Sequence, residues 1–296
     1  MKKILMITAA LLTSNVAFAC YDSTKNAQEN FAQCYAAAES GNAVAQNNLG
    51  IFYYDGRGVE QNFGLAAGWL RLAADQGQLY AQYLLATMFQ RGLGVKQLDE
   101  EAVKWFTVAV AQGHAQSQWK LSQHYRKGTG TAKSTTAAVR LLHLAAEQGH
   151  AFSQYDLGQI YAGIAYPEEL PLKDPEKALY WLTLAAEQGE ARAQYQLAKL
   201  YENGIGTAKD NTAAFIWYRK SAKQGNINAL AVLGEHYYIG TIIPQDKLNA
   251  HLFLTLASAQ GNARAVRLIE MLKAEMSEAD ITKAQDMTRV WIEDTQ

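Results

Sequence analysis

The chain has 296 residues, of which 49% are hydrophobic and 19% charged, a composition too apolar for a disordered protein and sufficient for a large core. Its 27 basic and 28 acidic residues give a formal net charge of −1, which provides no overall attraction to phosphate backbones or anionic membranes. We therefore expect a globular protein that does not bind nucleic acid. The 22 glycines against 4 prolines require a structural reason.

Residues 1–19 have the pattern of a secretory signal. Two lysines precede an apolar run that ends at Leu12, and the segment closes on Ala-Phe-Ala at 17–19, the small-x-small form of a cleavage site. The run is too short to cross ~30 Å of hydrocarbon, and no later segment has the ~18 consecutive apolar residues of a transmembrane helix. We predict an exported protein with a signal peptide at 1–19 and no integral membrane segment after cleavage.

The residue that follows this segment, Cys20, has two interpretations. It can form a disulfide with Cys34, the other cysteine of the chain, as is usual in an oxidising compartment. Alternatively, it can receive a lipid, as in bacterial lipoproteins, although Ala17 and Phe18 depart from the Leu and small residue usual before such a cysteine. We favour the disulfide and a periplasmic location, with a lipid-anchored or a secreted protein as the alternatives.

The rest of the chain is a repeat. The sequence Ala-Ala-x-Gln-Gly, or a close variant, ends at glycines 41, 77, 113, 149, 189, 225 and 261, at steps of 36 residues except for one of 40. Fixed periods of this length are typical of arrays of helix pairs. The four extra residues fall in a proline-containing stretch of the fourth unit and predict a longer loop there. The predicted units are 42–77, 78–113, 114–149, 150–189, 190–225 and 226–261.

Each unit is predicted to contain two helices. In the first helix a small residue, Leu and an aromatic recur at helical spacing, as in Ala81, Leu85 and Phe89, and this stripe predicts the buried face. The second helix repeats Ala-x-x-Trp-x-x-x-Ala, as in 178–185. Gly-x-Gly lies between them, as at 92–94, where glycine permits the positive φ of a chain reversal.

The combined pattern, AxAQxxLGxxYxxGxG followed by AxxWxxxAAxQG, resembles the Sel1-like repeat family, relatives of the tetratricopeptide repeat. The resemblance covers 42–261 and implies an all-α, right-handed α-solenoid of about six complete ~36-residue helix-turn-helix repeats. A half-repeat at 20–41 and capping helices at 262–296, the last with Ser277 as N-cap, complete the array. The fourth and sixth units depart from the pattern, because Gly163 and Gly240 lack the second glycine.

One position of the first helix predicts a binding surface. The residue two places after the recurrent small residue is rotated by about 200° from it, and the aromatic residues at this position are Tyr83, Trp119, Tyr155 and Tyr195. Basic residues expected on the same face are Arg91, Arg126, Lys127, Arg192 and Lys199. In repeats of this kind that face lines the concave side, so we predict a partner-binding groove. The alternative is that the aromatic rings pack against adjacent units.

No pattern in the sequence indicates catalysis. Ser117 and Lys120 have the S-x-x-K spacing of penicillin-recognising enzymes, but Ser117 occupies the small-residue position of its repeat. The stretch 128–135 lacks the second glycine of a phosphate-binding loop, and the six histidines form no metal-ligand pair. We therefore expect no catalytic residue, metal or cofactor.

The predicted function is a non-enzymatic scaffold that binds one or more proteins in the periplasm or cell envelope. The resemblance implies roles such as an envelope regulator or a toxin-neutralising immunity protein. The alternative is a cell-wall-related enzyme or a binder of β-lactams or peptidoglycan. A monomer is one expectation, and the sequence leaves the oligomeric state open.

Overall fold

The computed structural model describes residues 20–165 and 172–295, so the predicted signal peptide and part of the long loop of the fourth repeat lie outside the described residues. These two ranges contain fifteen α-helices and no strand. The helices are α1 Ala27–Glu39, α2 Ala43–Asp55, α3 Phe63–Asp75, α4 Leu79–Arg91, α5 Asp99–Ala111, α6 Ala115–Lys127, α7 Thr135–Glu147, α8 Ala151–Tyr161, α9 Pro175–Glu187, α10 Ala191–Asn203, α11 Asn211–Lys223, α12 Ile227–Ile239, α13 Lys247–Ala259, α14 Ala263–Lys273 and α15 Glu278–Thr295.

The helices form two compact units, one that ends at Ser134 and one that begins at Thr135. The first unit contains α1 to α6, and each helix from α1 to α5 packs on the next one in the chain. The second unit contains α7 to α15, where the same neighbour packing continues to α14 and α15 packs on α13. In both units the even-numbered helices up to α14 are first helices of repeats, and the odd-numbered ones are second helices.

Local sequence signals set the helix ends. The second helices α3, α9, α11 and α13 begin at an Asn or Asp whose side chain accepts a hydrogen bond from a backbone N–H of the first turn, as Asn62 does from Leu65 at 3.0 Å. The helix α5 follows Leu98 and has no side-chain cap. The first helix α4 ends at Gly92, which is left-handed with φ 67°. The sixth repeat keeps this ending at Gly240, with φ 79°, although its second glycine is absent. The loss of that glycine therefore leaves the helix end unchanged.

The core follows the predicted stripe of the first helices. Ala81, Leu85 and Phe89 are 0%, 1% and 7% exposed. On the second helices the residue after the recurrent Trp is buried most deeply, as with Leu70 and Tyr218. The Trp before it lies at the edge of the core, because the helix turns the following side chain directly towards its neighbours.

Pairs of glutamines connect the two helices of a repeat, a feature absent from the sequence predictions. In the first repeat the Gln76 amide donates to the side-chain oxygen of Gln46 at 2.7 Å, and Gln46 donates to the backbone oxygen of Ala38 at 3.2 Å. Equivalent side-chain pairs join Gln112 to Gln82, Gln188 to Gln154 and Gln224 to Gln194. In each pair the first-helix glutamine is buried and the second-helix glutamine is exposed, so the exposed amide satisfies the buried one and links the two helices.

A disulfide lies at the beginning of the described array and a long helix at its end. Cys20 and Cys34 form a disulfide, which confirms the predicted pairing, and both are almost fully buried. At the other end, the Ser277 hydroxyl accepts a hydrogen bond from the backbone N–H of Asp280 at 3.1 Å, which confirms the predicted N-cap of α15. The ring of Trp291 on α15 meets Phe253 on α13 at 5.0 Å in an edge contact, so this helix covers the last repeat.

Candidate partner-binding site

In the first unit, the predicted site residue Tyr83 belongs partly to the packing between repeats. Its ring is half-buried on α4 and lies 5.1 Å from the ring of His114, edge to face, and 6.2 Å from that of Phe106. Trp119 on α6 is also half-buried, with the Lys120 Nζ 5.2 Å from its ring centre. Only part of each ring is therefore available to a partner.

A neighbouring tyrosine extends this face beyond the predicted residues. Tyr80 occupies the second position of α4, and its ring centre lies 6.1 Å from that of Tyr83. Burial raises the pKa of Tyr80 to about 12, helped by the negative charge of Asp55, so the phenol stays neutral at physiological pH and can both donate and accept a hydrogen bond. The recurrence of Tyr, Phe or Arg at this second helix position is the signal that could have identified it.

The three predicted cations of the first unit lie at helix ends. Arg91 is the last residue of α4, and Arg126 and Lys127 are the last two of α6. All three are exposed. Cations are favourable at these ends because the last carbonyls of a helix carry partial negative charge, so a capping role and a binding role are compatible here.

In the second unit, Arg192 and two aromatic rings form one group. The guanidinium carbon of Arg192 lies 4.5 Å from the ring centre of Tyr155 and 5.5 Å from that of Phe152. Its Nε donates to the Glu190 carboxylate at 2.6 Å. Contacts with two rings and a carboxylate hold a long side chain in one position before any partner arrives. Phe152, which the sequence predictions missed, occupies the same helix position as Tyr80.

The fourth predicted aromatic residue, Tyr195, also packs within its own repeat. Its ring centre lies 5.8 Å from that of Tyr218 on the second helix, while the Lys199 Nζ lies 5.7 Å from the Tyr195 ring. Beneath them, the Tyr218 hydroxyl donates to Glu202 at 2.6 Å, and Glu202 lies 3.4 Å from the Nε2 of His236. Tyr195 therefore lies between the partly exposed cation Lys199 and the partly buried group of Tyr218, Glu202 and His236.

The arrangement at Ser117 is unsuited to nucleophilic catalysis. Ser117 is fully buried, and its hydroxyl lies 2.8 Å from the Nδ1 of His114, a contact that closes the first turn of α6. Within the described ranges, no group of three or more His, Cys, Asp or Glu residues is placed to hold a metal ion. Nor is any helix there long and apolar enough to span a bilayer.

The fold, with partly exposed aromatic and basic side chains on the first helices of each unit, defines a class of helix-pair repeat proteins. Six consecutive segments, 43–78, 79–114, 115–150, 151–190, 191–226 and 227–262, match the Sel1 repeat, and the chain belongs to this family. This confirms the expected fold class, an all-α solenoid of helix-turn-helix repeats. Sel1 repeat proteins are protein-interaction scaffolds, and their fold is generally non-catalytic.

Several solved structures are similar to this chain. A Sel1 repeat protein from Oxalobacter formigenes is 32% identical, with 78% of this chain and 91% of that chain covered and a TM-score of 0.69. A protective antigen present in uropathogenic Escherichia coli strains, which displays a Sel1-like repeat fold, is 24% identical over 90% of this chain and 72% of its own (TM-score 0.40). An immunity protein from Pseudomonas aeruginosa is 18% identical over 79% and 84% (TM-score 0.42). No curated protein matches this chain.

Proposed function

We propose that this protein is an exported, non-enzymatic scaffold that binds a protein partner in the periplasm or at the cell envelope. The binding surface is the face of the first helices. The observation that carries the proposal is the group formed by Arg192, Tyr155 and Phe152, in which a guanidinium is held over two rings. Arg and Tyr are enriched among residues that dominate binding energy at protein interfaces, and side chains already held in position lose little entropy on binding.

Export is supported by two features of the chain. The pattern of residues 1–19 is that of a secretory signal, and the disulfide between Cys20 and Cys34 is a bond that persists in oxidising compartments. The disulfide also occupies the sulfur that a lipid would need. It therefore favours a periplasmic protein over one anchored through Cys20.

The binding surface is tested by capture from periplasmic extracts. The test variant combines Phe152→Ser and Arg192→Gln, two exposed residues of the candidate face. The control variant combines Ile216→Ser and Lys223→Gln, which lie on α11 and remove the same kinds of group, one exposed apolar residue and one exposed cation. We expect the control to retain a stoichiometric protein partner and the test variant to lose it.

Two results would contradict the proposal. Equal retention of the partner by both variants would show that the first-helix face is not the binding surface. Turnover of a β-lactam, or specific retention on purified peptidoglycan, would favour the cell-wall enzyme or ligand-binder instead. Circular dichroism of each variant checks that a lost partner does not reflect a lost fold.

The location is tested by fractionation and intact mass. We expect the protein in the periplasmic fraction, with a mass that begins at Cys20 and is lower by two hydrogens. A mass increase that matches acyl chains, together with membrane fractionation, would replace the disulfide interpretation with a lipid anchor. A full-length mass in the cytoplasmic fraction would contradict export.

A further inference from the structure

The middle of the chain lacks acidic residues. From residue 102 to residue 146 the sequence contains six Lys or Arg residues and no Asp or Glu. With 28 acidic residues in 296, a stretch of this length would contain about four at the average for the chain. The positive charge is therefore concentrated in one region of a chain whose overall charge is close to zero.

The first unit gathers part of this charge at one place. The last turns of α4 and α6 are joined by the contact between the Gln90 Nε2 and the His124 Nε2, at 3.0 Å. Arg91 follows directly after Gln90, and Arg126 and Lys127 lie in the same turn as His124. The adjacent ends of the two helices thus carry three exposed cations.

A fourth cation, Lys120, completes the group. It is half-buried on α6, with its Nζ 5.2 Å from the ring centre of Trp119. Burial lowers the pKa of Lys120, and the positive charges of Arg91 and Lys127 lower it further, so these charges interact across the two helices. We call Arg91, Lys120, Arg126 and Lys127 the basic cluster.

The basic cluster has no carboxylate partner within the part of the chain that the structure describes. The ion pairs found there involve other cations. The C-terminus of each helix contributes the equivalent of about half a negative charge, which leaves roughly three of the four positive charges uncompensated. An anion bound at this place would relieve that repulsion.

We propose that the basic cluster binds an acidic linear segment of the partner protein, with a neighbouring apolar side chain of that segment against Tyr83 and Trp119. This inference rests on the proposed function and names the chemistry of the partner. The guanidinium groups of Arg91 and Arg126 can each hold a carboxylate through two hydrogen bonds. The rings on the same two helices favour a peptide with apolar side chains over a purely ionic polymer.

The probe is a short synthetic peptide rich in Glu and Phe, compared with the same peptide carrying Gln at every Glu. Binding to the full mature protein is measured by fluorescence polarisation at low and at physiological salt. The cluster variant is Arg91→Gln with Arg126→Gln and Lys127→Gln. The matched control, which changes the net charge equally, replaces three exposed cations outside the cluster, Lys96, Lys209 and Lys223, by Gln.

We expect the Glu peptide to bind the native protein, more weakly as salt rises, and the Gln peptide to bind at least tenfold more weakly. The cluster variant should lose about tenfold or more in affinity, since three exposed charge contacts are removed, while the control stays within about twofold. Equal losses in both variants would overturn the inference, because net charge alone would then explain binding. Tighter binding of heparin or single-stranded DNA at the same residues would also overturn it.

Capture of the partner separates this inference from the proposed function. If the cluster variant retains the partner while the variant at Phe152 and Arg192 loses it, the scaffold function holds and the acidic-segment inference is wrong. If both variants retain the partner, both proposals fail. All three substitutions of the cluster variant lie at exposed side chains, so an unchanged melting temperature is expected for it.

Discussion

We predict that the second glycine of each inter-helix turn permits a positive φ and also a close backbone contact with the preceding repeat. Gly206 is the position at which this is tested. Its φ is +72°, and a Cβ built there would overlap the carbonyl of Pro175, with the carbonyl carbon at 2.7 Å. Pro175 is the first residue of α9, so this turn of one repeat sits on the start of the second helix of the preceding repeat. The perturbation is Gly206→Ala.

Gly225 provides a matched control in the same unit. Its φ is +75°, nearly the same as that of Gly206, but a Cβ there would meet nothing within 4 Å. Alanine at either position introduces left-handed backbone strain of about 1–2 kcal/mol. At Gly206 the overlap with backbone, which cannot rotate away, adds about 1–3 kcal/mol. We expect Gly206→Ala to lower the free energy of unfolding by about 2 kcal/mol more than Gly225→Ala.

The assay is urea denaturation followed by circular dichroism, together with native-state hydrogen exchange. Exchange is needed because repeat arrays can unfold in parts, so a single free energy of unfolding does not describe them. We expect Gly206→Ala to raise exchange at the start of α9 and the end of α10. Equal shifts of the urea midpoint in the two variants would contradict the prediction, since the second glycine would then be needed only because it permits a positive φ.

Three further predictions concern the chain end, pH and the polar network. Replacing both Cys20 and Cys34 by Ser should reduce the stability of α1 by about 3 kcal/mol and raise hydrogen exchange there, with α13 unaffected. Burial lowers the pKa of His236 below 6.5. The stability that the neutral His236 contributes is therefore present above pH 6.5 and is lost as pH falls through its folded-state pKa. As pH changes from neutral to mildly acidic, the melting temperature of the His236→Gln variant should fall less than that of the native protein. Tyr218→Phe removes the 2.6 Å hydrogen bond to Glu202 and should cost about 1 kcal/mol in urea denaturation, because Glu202 is partly exposed and water can replace the donor.

The repeat architecture was readable from the sequence because its signals are local. The spacing of Ala81, Leu85 and Phe89 depends only on the geometry of one helix, and each is buried as predicted. The helix end at Gly92 depends only on a positive φ that glycine permits. The disulfide was favoured without knowledge of the fold, since the chain has two cysteines, although a lipid on Cys20 remained an alternative.

The glutamine pairs were not predicted because their partners are far apart in the chain. Gln76 and Gln46 are separated by 30 residues, and the bond between them exists only once the two helices of the repeat are packed. In the sequence each glutamine is a polar residue beside small ones, which favours an exposed position. Burying an amide costs free energy unless another polar group forms a hydrogen bond with it. The sequence of a single helix does not show whether such a partner is present.

The aromatic face was only partly predictable from the sequence, because its rings also contact the second helices. A rotation of about 200° places Tyr83 and Tyr195 away from the buried stripe of their own helix, but it does not account for the second helix, whose Phe106 and Tyr218 reach the far side of these rings. Because the ring faces are already used, a partner would meet ring edges, hydroxyl groups and the cations beside them. We therefore expect the exposed charges of this face to contribute more to the specificity of binding than the aromatic residues.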